Sequence, residues 1–70
     1  MEKLTLKAAR VNAGLTQAEA ADKIGVSVQT IFNYEKGRAF PDVRILKRIE
    51  DVYGIEYRNL IFLEDIPVYR

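Results

Sequence analysis

The 70-residue sequence contains no cysteine and no histidine. Without cysteine the chain can form no disulfide, thiol nucleophile or thiolate metal site, and this absence fits a reducing cytoplasm. Without histidine it also lacks the commonest metal ligand and the usual acid–base group at neutral pH. We therefore expect a cytoplasmic protein with no metal and no cofactor.

Long hydrophobic runs are also missing. The longest uninterrupted apolar run covers residues 60–63, far short of a membrane-spanning helix, and residues 1–20 lack the apolar stretch of a signal peptide. Hydrophobic residues make up 49% of the chain and charged residues 30%, which is typical of a soluble globular domain. A chain of 70 residues forms a single domain, and we expect it to have no contact with a membrane.

Charges of the two signs are almost balanced overall but unevenly distributed along the chain. The formal net charge is only +1. Residues 1–48 hold nine Lys or Arg against five acidic residues, whereas residues 49–70 hold two against five. One part of the molecule can therefore face phosphates while the other is turned away from them.

Helical periodicity runs through most of the chain and predicts an all-α domain. Thr16 and Glu19 form a Ser/Thr-x-x-Glu capping box, Ser27 is placed as an N-cap, and a glycine follows each of the first four helices. These signals predict five helices, at residues 5–13, 17–24, 28–36, 43–53 and 57–62. We expect a compact five-helix bundle over residues 1–62 and a C-terminal tail over residues 63–70.

Spacings of three and four residues predict which side of each helix faces the core. The predicted inward residues, from the first helix to the fifth, are Leu6, Ala9, Arg10, Ala13, Ala20, Ala21, Ile24, Ile31, Tyr34, Val43, Leu46, Ile49, Val52, Tyr53, Leu60 and Ile61. The second and third helices are separated only by Gly25-Val26-Ser27. A steep corner of that length is typical of a helix-turn-helix unit, whose second helix projects from the body.

The outward face of the third helix is unusual for a solvated surface. By the 3.6-residue period it carries Val28, Gln29, Phe32, Asn33 and Lys36, where a solvated helix more often carries Glu, Lys and Arg. Amides and apolar groups are the chemistry that reads base edges and thymine methyl groups in a major groove. This face therefore indicates DNA binding.

The segment from Leu6 to Phe62 resembles the phage repressor/Cro-type helix-turn-helix family, the lambda-repressor-like DNA-binding domains. The residues that carry the resemblance are Arg10, Gly14-Leu15-Thr16-Gln17, Ala21, Gly25-Val26-Ser27, Ile31, Tyr34-Glu35-Lys36-Gly37, Pro41, Leu46, Ile49, Tyr53-Gly54-Ile55 and Leu60. The resemblance implies a bacterial, plasmid or phage transcriptional regulator that binds double-stranded DNA operators, commonly as a two-fold dimer. Ala9 and Ala20 depart from the family, which often has larger apolar residues there, and residues 63–70 lie outside its pattern.

The expected DNA contacts lie on and around the third helix. Gln29 is expected to read a base, and Gln17 to bind a phosphate at the start of the second helix. Lys36 and Arg38 follow the reading face, where the phosphates of a flanking strand should run. The full set is Gln17, Ser27, Val28, Gln29, Thr30, Phe32, Asn33, Lys36 and Arg38.

Two of these side chains, and one pair outside the set, also have interpretations within the protein. Val28 contacts a thymine methyl group or packs against the second helix. Phe32 touches the edge of the groove or covers a neighbouring apolar patch. Arg10 and Glu35 are expected to form a partly buried ion pair that ties the first helix to the third, and we interpret that pair as structural.

Apolar residues in the C-terminal region predict where two copies of the chain would meet. It offers more apolar surface than one short helix can bury, and the expected homodimer interface is Tyr57, Ile61, Phe62 and Leu63. The alternative left open is a tail that folds back over the first helix and covers Leu4 and Leu6, which leaves a monomer. The dimer is favoured because one small domain touches few base pairs.

The expected function is a sequence-specific double-stranded DNA-binding regulator, a repressor that inserts the third helix into the major groove. An enzyme is not expected, because the carboxylates fall on caps or polar faces without paired-acid spacing. The alternative is a protein-interaction or antitoxin-like module with the same fold. No small-molecule ligand is expected, because the sequence has no room for a second, sensing domain.

Overall fold

The computed structural model describes residues 3–62 of the chain. Within that range the chain forms four α-helices, which are α1 Leu6–Asn12, α2 Gln17–Ile24, α3 Val28–Lys36 and α4 Val43–Tyr53. The remaining elements are two two-residue strands and one turn of 3₁₀ helix, which are β1 Leu4–Thr5, β2 Leu60–Ile61 and Tyr57–Asn59. The described chain is therefore mostly helical, as the sequence predicts.

Each α-helix begins at a side-chain cap. In each helix the backbone N–H at the third helical position donates to the side chain of the N-cap residue. The N-cap residues of α1 to α4 are, in order, Thr5, Thr16, Ser27 and Asp42. The predicted capping box is present, because the Thr16 backbone N–H donates to the Glu19 carboxylate at 2.9 Å. That hydrogen bond lowers the pKa of the Glu19 carboxyl. The caps pair N–H groups that the first helical turn leaves unpaired.

The corner between α2 and α3 depends on Gly25. Its φ of +90° lies in the left-handed region, which other residues rarely adopt. The backbone N–H groups of Gly25 and Val26 both donate to the Ala21 carbonyl, at 2.8 and 3.0 Å. Arg48 Nη1 donates to the carbonyl of Ile24 at 3.3 Å and so closes the end of α2. The chain can therefore start α3 at Val28, only three residues after the corner glycine.

The core lies where the four helices meet β2. Its buried apolar residues are Leu6, Ala9, Ala20, Ala21, Ile24, Ile31, Tyr34, Ile49, Tyr53, Ile55 and Leu60. Ala13, Leu46 and Val52 pack against this core partly buried, so most of the predicted inward stripes are confirmed. The prediction for Val43 is wrong, because its side chain is 70% exposed. Val43 is the first residue of α4 and lies before the part of that helix that reaches the core.

The predicted fifth helix at 57–62 is not formed. Only Tyr57–Asn59 make a helical turn, and Leu60–Ile61 pair in parallel with Leu4–Thr5, with Leu4 opposite Leu60 and Thr5 opposite Ile61. Leu60 is buried as predicted, but Ile61 is 41% exposed, which makes its predicted inward position wrong. The cause is a pairing between the two ends of the domain, which periodicity within a short segment cannot reveal.

Candidate nucleic-acid interface

The outer side of α3 carries two pairs of side chains that hold each other in place. Gln29 Nε2 donates to Asn33 Oδ1 at 3.3 Å, one helical turn later. At the start of the helix the hydroxyls of Ser27 and Thr30 lie 2.8 Å apart, and exposed Val28 lies beside them. A carboxamide offers two N–H donors and a carbonyl acceptor, so Gln29 and Asn33 keep donors and acceptors beyond their mutual bond. This surface therefore presents both kinds of hydrogen-bonding group next to an apolar one.

The ring of Phe32 lies close to two of the predicted phosphate contacts. Lys36 Nζ is 5.6 Å from the ring centroid, and the guanidinium carbon of Arg38 is 5.9 Å from it. At such distances a cation is attracted by the negative face of the ring. Phe32 itself is half-buried. Neither sequence interpretation of Phe32 contained this contact, although the spacing of four residues to Lys36 signals it.

The predicted ion pair between α1 and α3 is confirmed. Arg10 Nε donates to Glu35 Oε2 at 2.6 Å, and Arg10 Nη2 donates to Glu35 Oε1 at 3.3 Å. Arg10 Nη1 also donates to the carbonyl of Leu15 at 2.8 Å. Both charged residues are buried, and the hydrogen bond to Glu35 raises the pKa of the Arg10 guanidinium. The pair therefore joins α1, the loop before α2, and the end of α3.

Gln17, the predicted phosphate contact at the start of α2, belongs to the same network. Its Nε2 donates to Glu35 Oε1 at 3.0 Å. This bond uses one amide hydrogen and leaves the second hydrogen and the carbonyl oxygen for another partner. The side chain is thereby held in one orientation at a helix end where backbone N–H groups favour an anion.

A cleft of about 190 Å³ lies between α1, the start of α2 and α3. We call it the polar cleft, and its lining residues are Lys7, Gln17, Phe32, Glu35 and Lys36. It brings together three residues from the expected contact set. Lys7 was not in that set. The sequence feature that could have indicated Lys7 is its position three residues before Arg10, on the helix that the Arg10–Glu35 pair joins to α3.

A second, larger groove of about 380 Å³ has an apolar lining. We call it the apolar groove, and its lining residues are Phe40, Pro41, Val43, Leu46, Tyr57 and Phe62. The ring centroids of Phe40 and Tyr57 lie 6.4 and 5.8 Å from that of Phe62. Two predicted dimer residues, Tyr57 and Phe62, therefore lie here, together with Phe40, which no sequence prediction included, and Val43, which was predicted to face the core. Ile61 is exposed on β2, and Leu63 lies outside the described residues.

Over residues 3–62, the helices are all too short or too polar to cross a membrane. The family model described as Helix-turn-helix matches residues 6–60. An uncharacterized HTH-type transcriptional regulator of Methanothermobacter thermautotrophicus is 43% identical over 56 residues, which cover 80% of this chain and 81% of that protein. Another, from Methanocaldococcus jannaschii, is 37% identical over 60 residues, covering 86% of this chain and 91% of its own.

The HTH-type transcriptional regulator ImmR of Bacillus subtilis is 33% identical over 61 residues. The matched segment covers 87% of this chain and 48% of ImmR, so the chain spans about half of that relative. The family match covers both helices of the Gly25 corner and the surface built on them. The chain therefore belongs to the repressor/Cro-type helix-turn-helix family of non-enzymatic, DNA-binding transcriptional regulators.

Proposed function

We propose that this chain is a cytoplasmic repressor that binds a pseudo-palindromic DNA operator as a homodimer, with α3 in the major groove. The observation that supports this most directly is the outer side of α3, where Gln29 is held by Asn33. A glutamine carboxamide can form two hydrogen bonds with an adenine edge, and a fixed side chain loses less conformational freedom on binding. Gln29 is the principal base reader in this proposal.

The residues around Gln29 bind the DNA backbone in this proposal. Lys36 and Arg38 lie on Phe32 at the end of α3, and Gln17 lies at the start of α2. Ser27 and Thr30 offer hydroxyl groups at the start of α3. Contacts to phosphates set the register of the helix on the duplex, and they let Val28, Gln29 and Asn33 meet base edges.

The substitution Gln29→Ala tests base reading. We expect a loss of about 1–3 kcal/mol on the operator and little loss on unrelated DNA, because a base contact discriminates between sequences. Asn12→Ala, which removes an exposed amide at the end of α1, is the matched control and should change neither affinity. Fluorescence anisotropy with the operator and a scrambled duplex measures both. Equal losses on the two duplexes would assign Gln29 to the backbone instead.

The homodimer is proposed through the apolar groove. One helix-turn-helix unit reads only a few base pairs, and specific regulators with affinities of about 10⁻⁸ M or tighter usually engage two half-sites. Tyr57 and Phe40 are more than half exposed, and interface cores are enriched in such aromatic side chains. A two-fold pair would place the two α3 helices on half-sites about 34 Å apart.

The apolar groove also fits a second candidate, a module that binds another protein. This alternative predicts that the intact chain shows no measurable affinity for duplex DNA even at low salt, where contacts to phosphates are strongest. Wild-type binding to operator and scrambled DNA therefore separates the two functions before any variant is made.

A further inference from the structure

We propose that Arg48 on α4 positions α3 and so contributes to the choice of DNA sequence without touching the DNA. This inference rests on the proposed function, in which α3 carries the base reader Gln29, and it adds a residue from outside the helix-turn-helix unit. Arg48 Nη1 donates to the carbonyl of Ile24, the last residue of α2, at 3.3 Å. Ile24 is itself buried in the core. The hydrogen bond therefore ties α4 to the end of α2, directly before the corner that leads into α3.

The guanidinium of Arg48 also lies against the corner glycine. A Cβ placed on Gly25 would meet Arg48 Nη1 at 3.3 Å, which is tighter than an ordinary van der Waals contact. The glycine thus provides both the left-handed backbone of the corner and the space beside it. The carbonyl groups at the end of a helix are left without partners inside it, and they carry a partial negative charge. Arg48 supplies one of these carbonyls with a donor and brings a positive charge to the same helix end.

Arg48 acts at the start of α3, whereas the Arg10–Glu35 pair holds its end. Because α3 starts only three residues after Gly25, a small rotation at the corner moves the whole helix. Hydrogen bonds to a base edge weaken steeply when donor and acceptor are misaligned, so the contact made by Gln29 depends on that rotation. Long, flexible cations reach a phosphate from many orientations, so backbone contacts depend on it less. Loss of Arg48 is therefore expected to weaken base reading more than phosphate binding.

A direct contact between Arg48 and a phosphate is the alternative that the experiment must separate. The Arg48 side chain is exposed, and a guanidinium has five N–H donors, of which the Ile24 carbonyl uses one. A phosphate contact would weaken binding to every duplex alike and lower the slope of log affinity against log salt by about 0.9. A positioning residue lowers affinity for the operator alone and leaves that slope unchanged.

The first arm of the test compares Arg48→Met with Lys47→Met, which removes the same charge from an exposed position one residue earlier on α4. Arg48→Met should lower affinity for the operator by about three- to tenfold, a part of the discrimination that one base contact supplies. Its affinity for scrambled DNA should change by less than about twofold, with the salt slope of the wild type. Lys47→Met should leave the ratio of the two affinities unchanged. An unchanged ratio in Arg48→Met, an equal fall in both variants, or a lower salt slope would overturn the inference.

The second arm asks whether Arg48 acts through the base reader. Arg48→Met is combined with Gln29→Ala in a double-mutant cycle on the operator. Without the Gln29 carboxamide there is little base contact left to misalign, so the loss caused by Arg48→Met should fall to less than about twofold. If Arg48→Met costs as much in the Gln29→Ala background as in the wild type, the two residues act independently and the inference fails.

The outcomes keep this inference distinguishable from the proposed function. If the wild-type chain binds neither duplex, both proposals fall together. If Gln29→Ala discriminates between the duplexes as expected, an unchanged ratio in Arg48→Met removes only the role of Arg48. Circular dichroism of each variant checks that it is folded, and we expect Arg48→Met to fold because the change leaves no charge buried without a partner. An unfolded Arg48→Met would be replaced by Arg48→Lys, which keeps the charge but not the planar guanidinium and should shift the ratio in the same direction. A wild-type ratio in that variant would overturn the inference.

Discussion

The polar cleft and the apolar groove lie on the same small domain but are built in opposite ways. Residues from three α-helices line the polar cleft, and hydrogen bonds between side chains fix Gln17 and Glu35 in its wall. The apolar groove is lined from the segment around the start of α4 and from residues 57–62, and its walls meet through tilted aromatic rings.

The ion pairs of the two regions differ in the same way. Arg10 and Glu35, which support the polar cleft, are buried, whereas Glu56 and Arg58, next to Tyr57, form an exposed pair at 3.3 Å. A buried pair fixes geometry because removing either partner is costly, while an exposed pair contributes little. The polar cleft is therefore held together by contacts within the chain, whereas the apolar groove leaves the aromatic side chains of Phe40 and Tyr57 exposed.

The largest expected effect comes from breaking the buried pair. Arg10→Met leaves the Glu35 carboxylate buried without its cation, and we expect the free energy of unfolding to fall by about 3–5 kcal/mol. Arg58→Met, the matched change in the exposed pair, should cost less than about 1 kcal/mol. Urea denaturation followed by circular dichroism measures both. A similar fall in the free energy of unfolding for the two variants would show that the buried pair and the exposed pair do not differ in their contribution to stability.

The double variant Arg10→Met/Glu35→Leu separates charge from hydrogen bonding. Replacing both charged partners by apolar side chains should recover most of the lost stability, because no buried charge remains unpaired. If the double variant stays as unstable as Arg10→Met, the loss comes from the hydrogen bonds that the pair makes to its neighbours, from Arg10 Nη1 to the Leu15 carbonyl and from Gln17 Nε2 to Glu35 Oε1. In that case the pair would stabilise the domain through these hydrogen bonds more than through its charges.

The two regions also differ in how far the sequence alone predicts them. Helices α2, α3 and α4 were predictable because their caps and terminating glycines are local signals, and the Arg10–Glu35 pair followed from the faces of two well-defined helices. The strand pair was not predictable, because Leu4–Thr5 and Leu60–Ile61 meet only after the chain has folded. Lys7 and Phe40 were missed for the same reason, since the features they line are formed by separate segments.

The next prediction, in order of expected effect, concerns what covers the apolar groove. Val43→Asp places a charge in the proposed dimer interface and should weaken dimerisation by about tenfold or more, because a charge buried against apolar groups is unfavourable. Val11→Asp makes the same change at a valine on α1 that is 58% exposed and outside the groove, and it should leave the dimer intact. Sedimentation equilibrium measures both. A wild-type chain that stays monomeric at every concentration would refute the homodimer.

The smallest expected effect distinguishes the ring of Phe32, which lies beside two cations, from the aromatic rings of the apolar groove. Phe32→Leu keeps an apolar side chain but removes the ring face beside Lys36 and Arg38, so those cations remain charged and become less well positioned. At about 0.5–1 kcal/mol for an exposed cation–π contact, affinity for an isolated half-site and for scrambled DNA should fall together, by roughly two- to fivefold. The salt slope should not change, because the number of phosphate contacts is the same.

The matched control for that substitution is Phe62→Leu in the apolar groove. Its ring meets Phe40 and Tyr57, so this variant should leave half-site affinity unchanged and weaken only binding that depends on two copies. Anisotropy titrations with a half-site, a full operator and a scrambled duplex separate these effects. If Phe32→Leu weakens binding to the half-site and the full operator but not to the scrambled duplex, Phe32 touches a base. If it lowers stability and leaves every affinity intact, Phe32 is a cover for the core, and the cations bind DNA without its support.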